Sequence, residues 1–372
     1  MKITGIICEY NPLHLGHKKQ LDTIRALRGQ DSAIVCLMSG NFVQRGEPAI
    51  FHKSLRARAA LEAGADLVLE LPVTYALRSA EGFAQGGVDI LSAICDTLCF
   101  GAEDPGDALT AAAEALVSPE FTAHLRTYLD EGLSFPAARQ RGLEAMGIPG
   151  DILTKPNNIL AVEYCKAARG TQLQLLPIYR GGDYHDPQAD ADNPSATALR
   201  RLLLAGESID DFTPCRQNGA LHALDFGEKA VLARLRTMTE EEFALLPGGS
   251  EGLWRKFMHA CRRETGISAI LEATKSKRYT HTRIARMLLC AYLGITDTML
   301  RQSAPYVRVL GMNDTGQKIL SATKKRVTYI NASEKSPLPY YAFEQRCASL
   351  YALCAPTIDP MEAEDAQTLI RI

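Results

Sequence analysis

Short apolar runs and helical patterns take turns along the first half of the chain. Ile3–Cys8, Ala33–Met38, Leu67–Leu71, Thr97–Phe100 and Leu173–Tyr179 read as buried strands. Between them, Gly16–Arg28, Lys53–Ala63, Ser79–Ile94 and Asn158–Ala168 carry the 3.6-residue spacing of helices. A further helical insert occupies about 107–147 and closes at Gly147 and Pro149. Parallel strands need long crossover connections, and helices supply them, so the alternation predicts an α/β fold with a doubly wound parallel sheet. Such sheets bind ligands at the carboxyl ends of their strands. The residues just after Cys8, Met38, Leu71, Phe100 and Tyr179 are therefore the first places to search.

From about Asp210 the alternation stops. Glu228–Arg236, Gly252–Thr265, Ser268–Glu272, Thr280–Leu293 and Gln317–Ala322 look helical, and strand signals are sparse. A chain of 372 residues has room for two domains, which we place at 1–207 (α/β) and 208–372 (mainly α-helical and basic). Between Glu251 and Ile330 fifteen Lys or Arg stand against five acids, a local charge of +10 in a chain of formal net charge −2. The total excludes a polycationic protein but conceals a basic block. Ten dispersed cysteines without a CxxC argue against a disulfide framework and a structural zinc site, and for free thiols in a reducing cytoplasm. The amino-terminal apolar run meets Glu9 too soon for a signal peptide, and no stretch approaches the ~18 apolar residues of a membrane span. The expectation is a cytoplasmic protein with no membrane partner.

The strongest local signal is Cys8-Glu9-Tyr10-Asn11-Pro12-Leu13-His14-Leu15-Gly16-His17. A strand ends near Cys8, a proline-containing turn follows, and a helix opens near Gly16 with His-x-Gly-His at its entrance. Helix N-termini favour anions, and imidazoles there can donate to phosphate oxygens as charge grows in a transition state. Gly16 would let the backbone approach a nucleotide closely. Two unrelated surface histidines are the bland alternative; the strand–turn–helix context favours phosphate. Cys8 reads as a small buried hydrophobe rather than an acyl carrier.

Other strand ends add polar groups. Ser39, Gly40, Asn41, Gln44 and Arg45 follow the second strand and suit a polar substrate pocket, although an ordinary turn-rich loop fits their composition equally well. Gly101 follows another strand end. Asn157 and Asn158 open a helix and could simply cap it. Arg180 precedes two glycines, which favours a phosphate contact. Ser195 and Arg200, with Thr197, stand at a further helix start, where a second phosphate clamp or a plain capped helix would use them.

No GxxxxGKS and no GxGxxG occurs, so P-loop hydrolysis and dinucleotide chemistry lose their usual signatures. Histidines, Arg and hydroxyls without an acidic magnesium cage suit attack on the α-phosphate of a nucleoside triphosphate, with Mg2+ riding on the phosphates. No protein metal site is expected, since His14 and His17 lack a third ligand. In the basic block, Lys275, Lys277, Arg278, Tyr279, Arg283 and Arg286 read as a cationic helix face beside one aromatic, suited to RNA; Lys324, Lys325 and Arg326 support it. A solvated amphipathic helix is the alternative.

GIICEYNPLHLGH, MSGNFVQRGEPA, GADLVLELP, FGAE, KPNNIL, YRGGDYHD, KSKRYTHTRIAR and PYVRVLGMNDTGQ, in this order, resemble the bacterial tRNA(Met) cytidine acetate ligase family of HIGH-motif nucleotidyltransferases. The family typically has Phe where Leu13 stands and Ser where Ala102 stands. The resemblance implies a nucleotidyltransferase-like catalytic domain over 1–207 and an RNA-binding domain over 208–372. It implies an ATP site on the loop 7–20, including Ile7, Cys8, Glu9, Tyr10, Asn11, Pro12, His14, Gly16, His17 and Gln20. Gly101, an Asn of the pair Asn157 and Asn158, and Arg180 would complete that site. It further implies activation of acetate as acetyl-adenylate and transfer to N4 of the wobble cytidine of elongator tRNA(Met), with no DNA partner. Two other readings remain: a nucleotidyltransferase acting on a phosphorylated small molecule, and a non-enzymatic, ATP-sensing RNA-binding protein.

Overall fold

The computed structural model describes residues 1–179, 195–276, 278–360 and 366–372. Arg180 and Lys277 lie outside the described residues, as do the remaining residues of 180–194.

The strands are β1 (Ile3–Cys8), β2 (Ala33–Ser39), the short β3 (Phe42–Val43) and β4 (Glu47–Pro48), β5 (Leu67–Leu71), β6 (Thr97–Ala102), β7 (Gln174–Tyr179), β8 (Val307–Met312), β9 (Tyr329–Asn331) and β10 (Ile370–Arg371). Among the described residues eight of them form one sheet in the order β10-β8-β5-β2-β1-β6-β7, with β9 also on β8, while β3 and β4 make a separate hairpin. The central strands are parallel, with Ile3–Cys8 in register with Ala33–Met38 and Thr4–Ile6 with Thr97–Cys99. β5 and β8 run antiparallel. The five strands expected from the first half are all present within about two residues of their expected ends. Helices cross between them: Leu15–Arg28, Lys53–Glu62, Ala80–Ser92 and Pro156–Ala168. The insert forms three helices, Gly106–Leu116, Pro119–Asp130 and Phe135–Ala145.

β2 and β5 are buried along their whole length, as expected for strands covered on both faces. One apolar cluster packs β2, β5 and β6 against Ala80–Ser92 and Pro156–Ala168, and another fills the opposite face behind Leu15–Arg28 and Lys53–Glu62. A third cluster belongs to the later helices Glu228–Thr237, Leu253–Arg263, Ile267–Thr274, His281–Leu293 and Pro339–Ala352.

The second half is mostly helical but not sparse in strands: β8, β9 and β10 rejoin the sheet made by the first half. The run Val307–Met312 carries Arg308 as its second residue, a charge within an otherwise apolar strand. In the fold Arg308 is buried, 3.0 Å from Glu344 and 3.7 Å from Glu70, so the strand tolerates it.

Candidate active site

The order β2-β1-β6 reverses direction at β1, and a cavity opens there at the carboxyl ends of β1 and β6. Its walls include Ile7, Cys8, Glu9, Tyr10, Asn11, His17 and Gln20 from the first strand–helix unit, Gln44 and Arg45 from the hairpin, Gly101, Asn157 and Arg200. Residues far apart in sequence thus converge.

His14 caps the helix Leu15–Arg28. Its Nδ1 accepts from the Gly16 N–H at 3.1 Å, while the Nδ1 of His17 accepts from the His14 N–H at 3.3 Å. The rings lie 3.8 Å apart. Because both Nδ1 atoms act as acceptors, each ring carries a proton on Nε2, at a helix N-terminus. His17 lines the cavity and His14 is buried behind it. Asn11 is buried as well. Its Oδ1 accepts from the Ile50 N–H at 2.7 Å, but its Nδ2 has no partner among the described residues. A buried orphan donor is costly, and an anion in the cavity would satisfy it. Tyr10 adopts φ of 46°, a strained left-handed turn that sends its ring into the core and leaves its backbone on the cavity wall.

Charge comes from three sides. Arg200 donates to the Asn11 carbonyl at 2.9 Å and lies 3.6 Å from Glu47. Glu9 accepts the Gln44 N–H at 2.7 Å. Burial pushes its carboxyl above the usual range, opposed by the Gln44 N–H, Arg45, Arg200 and Arg56. Arg56 is fully buried and donates to the carbonyls of Phe51, Glu9, Ser39 and Gly40, binding the loops after β1 and β2 together.

Several candidates are structural instead. Ser39, Gly40 and Asn41 do not line the cavity. Ser39 is buried, Asn41 Oδ1 accepts the Lys53 N–H at 3.1 Å, and a Cβ on Gly40 would strike the Glu70 carboxylate. Gln44 and Arg45 of that loop do reach it. Pro12, His14 and Gly16 stand behind the wall. Ser195 Oγ caps its helix by accepting the Ala198 N–H, and its neighbour Thr197 faces the cavity. Neither Asn157 nor Asn158 caps a helix. Asn157 donates to Glu103 at 2.6 Å, and the buried Asn158 spans the end of β6 through the Glu103 N–H and Asp104. The Cys8 thiol is buried and its pKa pushed up, consistent with a packing residue.

The basic block is largely occupied within the protein. Lys275 pairs with Glu272, and Arg278 with Glu251 at 2.9 Å. The Tyr279 ring is buried, its hydroxyl near Glu251. Arg283 donates to the Gly248 carbonyl and Ser250. Arg286 does not share an exposed face with it; it is partly buried and donates to the Gln44 carbonyl at 3.2 Å. Lys324, Lys325 and Arg326 are exposed on the turn after helix Asp314–Thr323.

The HIGH nucleotidyl transferase profile matches residues 1–366. The tRNA(Met) cytidine acetate ligase of Clostridium novyi is 36 % identical over 368 residues, covering 92 % of this chain and 90 % of that protein. Its Listeria monocytogenes (serotype 4a) namesake is 37 % identical over 375 residues, covering 95 % of each. The chain belongs to the tRNA(Met) cytidine acetate ligase family. A crystal structure of Thermotoga maritima TmcAL bound with alpha-thio ATP is 28 % identical, covers 100 % of both chains and gives a TM-score of 0.86. The ligase family's mixed α/β architecture, with its mostly parallel sheet, is therefore the fold of this chain as well.

Sequence reasoning missed Val43, Glu47, Phe83, Leu160 and Tyr164, which also line the cavity. One signal was available: Asn157, Leu160 and Tyr164 recur at i, i+3 and i+7 along one helix face. The others depend on packing between segments.

Proposed function

We propose that this protein is an ATP-dependent ligase that acetylates N4 of the wobble cytidine of elongator tRNA(Met). The observation that carries the reading is the placement of His14 and His17 at the N-terminus of the helix Leu15–Arg28, with the orphaned Asn11 Nδ2 of the same loop, at the carboxyl end of β1. The names of its relatives and the nucleotide analogue in the Thermotoga protein support it. The triphosphate lies against His17 and Asn11, with His14 supporting the His17 ring from behind and Gly101 and Asn157 completing the ATP site; Mg2+ would be held through the phosphates. Arg180 belongs to this reading but lies outside the described residues.

An acetate oxygen, held near Gln44 and Arg45, attacks the α-phosphorus, and pyrophosphate leaves. The histidines stabilise charge building on the pentavalent phosphorus, and Arg200 orders the loop beneath it. N4 of the cytidine then attacks the acetyl carbon, the acyl–oxygen bond breaks, AMP leaves, and N4 gives up one proton. The base reaches the cavity unpaired, as an anticodon loop presents it. The catalytic residues come from 1–207, on a sheet that β8, β9 and β10 complete, and the RNA-facing part lies within 208–372.

The test is transfer of radioactive acetate into bulk tRNA, with and without ATP, followed by nucleoside analysis. Label in N4-acetylcytidine only with ATP, with AMP as by-product, is the expected result. His17→Ala should lower the rate by about 10²- to 10³-fold while the protein stays folded. Unlabelled tRNA alongside normal ATP binding would remove acetate or tRNA from the proposal, and full activity in His17→Ala would remove the catalytic role.

A further inference from the structure

The helix Leu253–Arg263 divides its two sides sharply. Leu253, Phe257, Met258, Ala260 and Cys261 are buried, whereas Arg255, Lys256, His259, Arg262 and Arg263 are exposed. Residues 255, 259 and 262 form one i, i+4, i+7 row, and 256 and 263 a second beside it, so the cations lie on a common face. That face contains no acid. Among the described residues, no carboxylate lies within ion-pair distance of Arg255, Lys256, Arg262 or Arg263. Arg255 lies over the Trp254 ring at 4.7 Å, a cation–π contact that holds the guanidinium at the surface without supplying a counter-charge. Concentrated like charge without counter-charges costs energy through repulsion, which a polyanion would relieve.

The face also connects to the cavity. Lys256 donates to the Lys275 carbonyl at 2.8 Å, and Arg283 donates to Gly248 and Ser250, just ahead of the helix. One helical turn further, Arg286 donates to the carbonyl of Gln44, on the cavity wall.

We propose that the exposed face of Leu253–Arg263 is a docking surface for the phosphate backbone of tRNA, outside the site that receives the reacting base. The inference rests on the reading of tRNA as the acceptor. It moves the RNA contact away from residues 275–286, whose cations mostly hold the protein together. The cationic face spans about 12 Å along the helix axis and suits sugar–phosphate rather than base readout.

The experiment measures binding of elongator tRNA(Met) over a series of salt concentrations, with ATP binding by equilibrium dialysis as the control. In Arg255→Glu/Arg262→Glu we expect at least a tenfold loss of tRNA affinity near physiological salt and a shallower salt dependence. The slope should fall by about one for each phosphate that the protein no longer neutralises, with ATP binding unchanged. Arg255→Lys/Arg262→Lys should retain affinity within about threefold, since the charge remains. Unchanged affinity and slope in the reversed variant, with ATP still bound, would overturn the proposal. Should the reversal disturb ATP binding, the neutral pair Arg255→Gln/Arg262→Gln decides by slope alone. Wild-type protein that binds no tRNA would refute the acceptor reading itself.

Discussion

A single residue's chemistry here is set by what its backbone neighbours demand. His14 and His17 are ordinary imidazoles until two N–H groups claim their Nδ1 atoms, which fixes the tautomer and the orientation of each ring. His222 shows the opposite case, a histidine prevented from charging. It is stacked on Tyr351 at 3.9 Å, and burial, reinforced by nearby His52, pulls its pKa down to about 4; the Ala220 and Ile50 carbonyls and Asp359 oppose this. The unfolded chain therefore binds a proton between pH 6.5 and about 4 that the folded chain does not. Stability from this group is complete above pH 6.5 and declines as pH falls through that window, by at most about 3 kcal/mol. His222→Phe keeps the stacking and removes the titration. Urea unfolding at about pH 7 and about pH 4.5 should show a smaller acid loss in the variant than in the wild type.

Among elements, the β3–β4 hairpin does the joining. The peptide of Gln44 is held twice, its N–H by Glu9 and its carbonyl by Arg286. Gly46 makes this contact possible. Its φ is 84°, and a Cβ there would lie 2.5 Å from the Arg286 backbone nitrogen. Gly46→Ala should therefore push the hairpin off the helix His281–Leu293. We expect about 1–3 kcal/mol of lost stability and at least a tenfold lower acetylation rate, measured by thermal unfolding and label transfer. Full activity in that variant would show that the cavity does not depend on the hairpin's placement.

Across the whole molecule, a cluster of four charges, three of them buried, fastens the helix Pro339–Ala352 to the sheet. Lys53 lies 2.9 Å from Glu70, Arg308 lies beside Glu70 and 3.0 Å from Glu344, and Tyr306 donates to Glu344 at 2.6 Å. Each carboxylate is balanced by a cation, so removing one partner strands a charge in the interior. Arg308→Leu should cost about 3–5 kcal/mol in urea unfolding, and Arg308→Leu/Glu344→Leu less than the sum of the two single changes. Additive losses would mean that the groups do not interact.

The strands of the first half were legible because burial on both faces demands uninterrupted apolar runs, and the HxGH turn because a helix start beside a strand end has few uses. β8 was not legible, since the charge of Arg308 hides a strand whose neutralising acids arrive from residues 70 and 344. For the cations of 275–286 the same holds in reverse: their partners at Glu251, Gly248 and Gln44 are close only after folding. The sequence alone determined the alternating α/β plan, the HxGH turn between a strand end and a helix start, and the presence of a basic block, because each is written in local spacing and composition. Tertiary structure alone decided which cations stay exposed and which loop residues reach the cavity, because both depend on partners that only the folded chain brings within hydrogen-bonding distance.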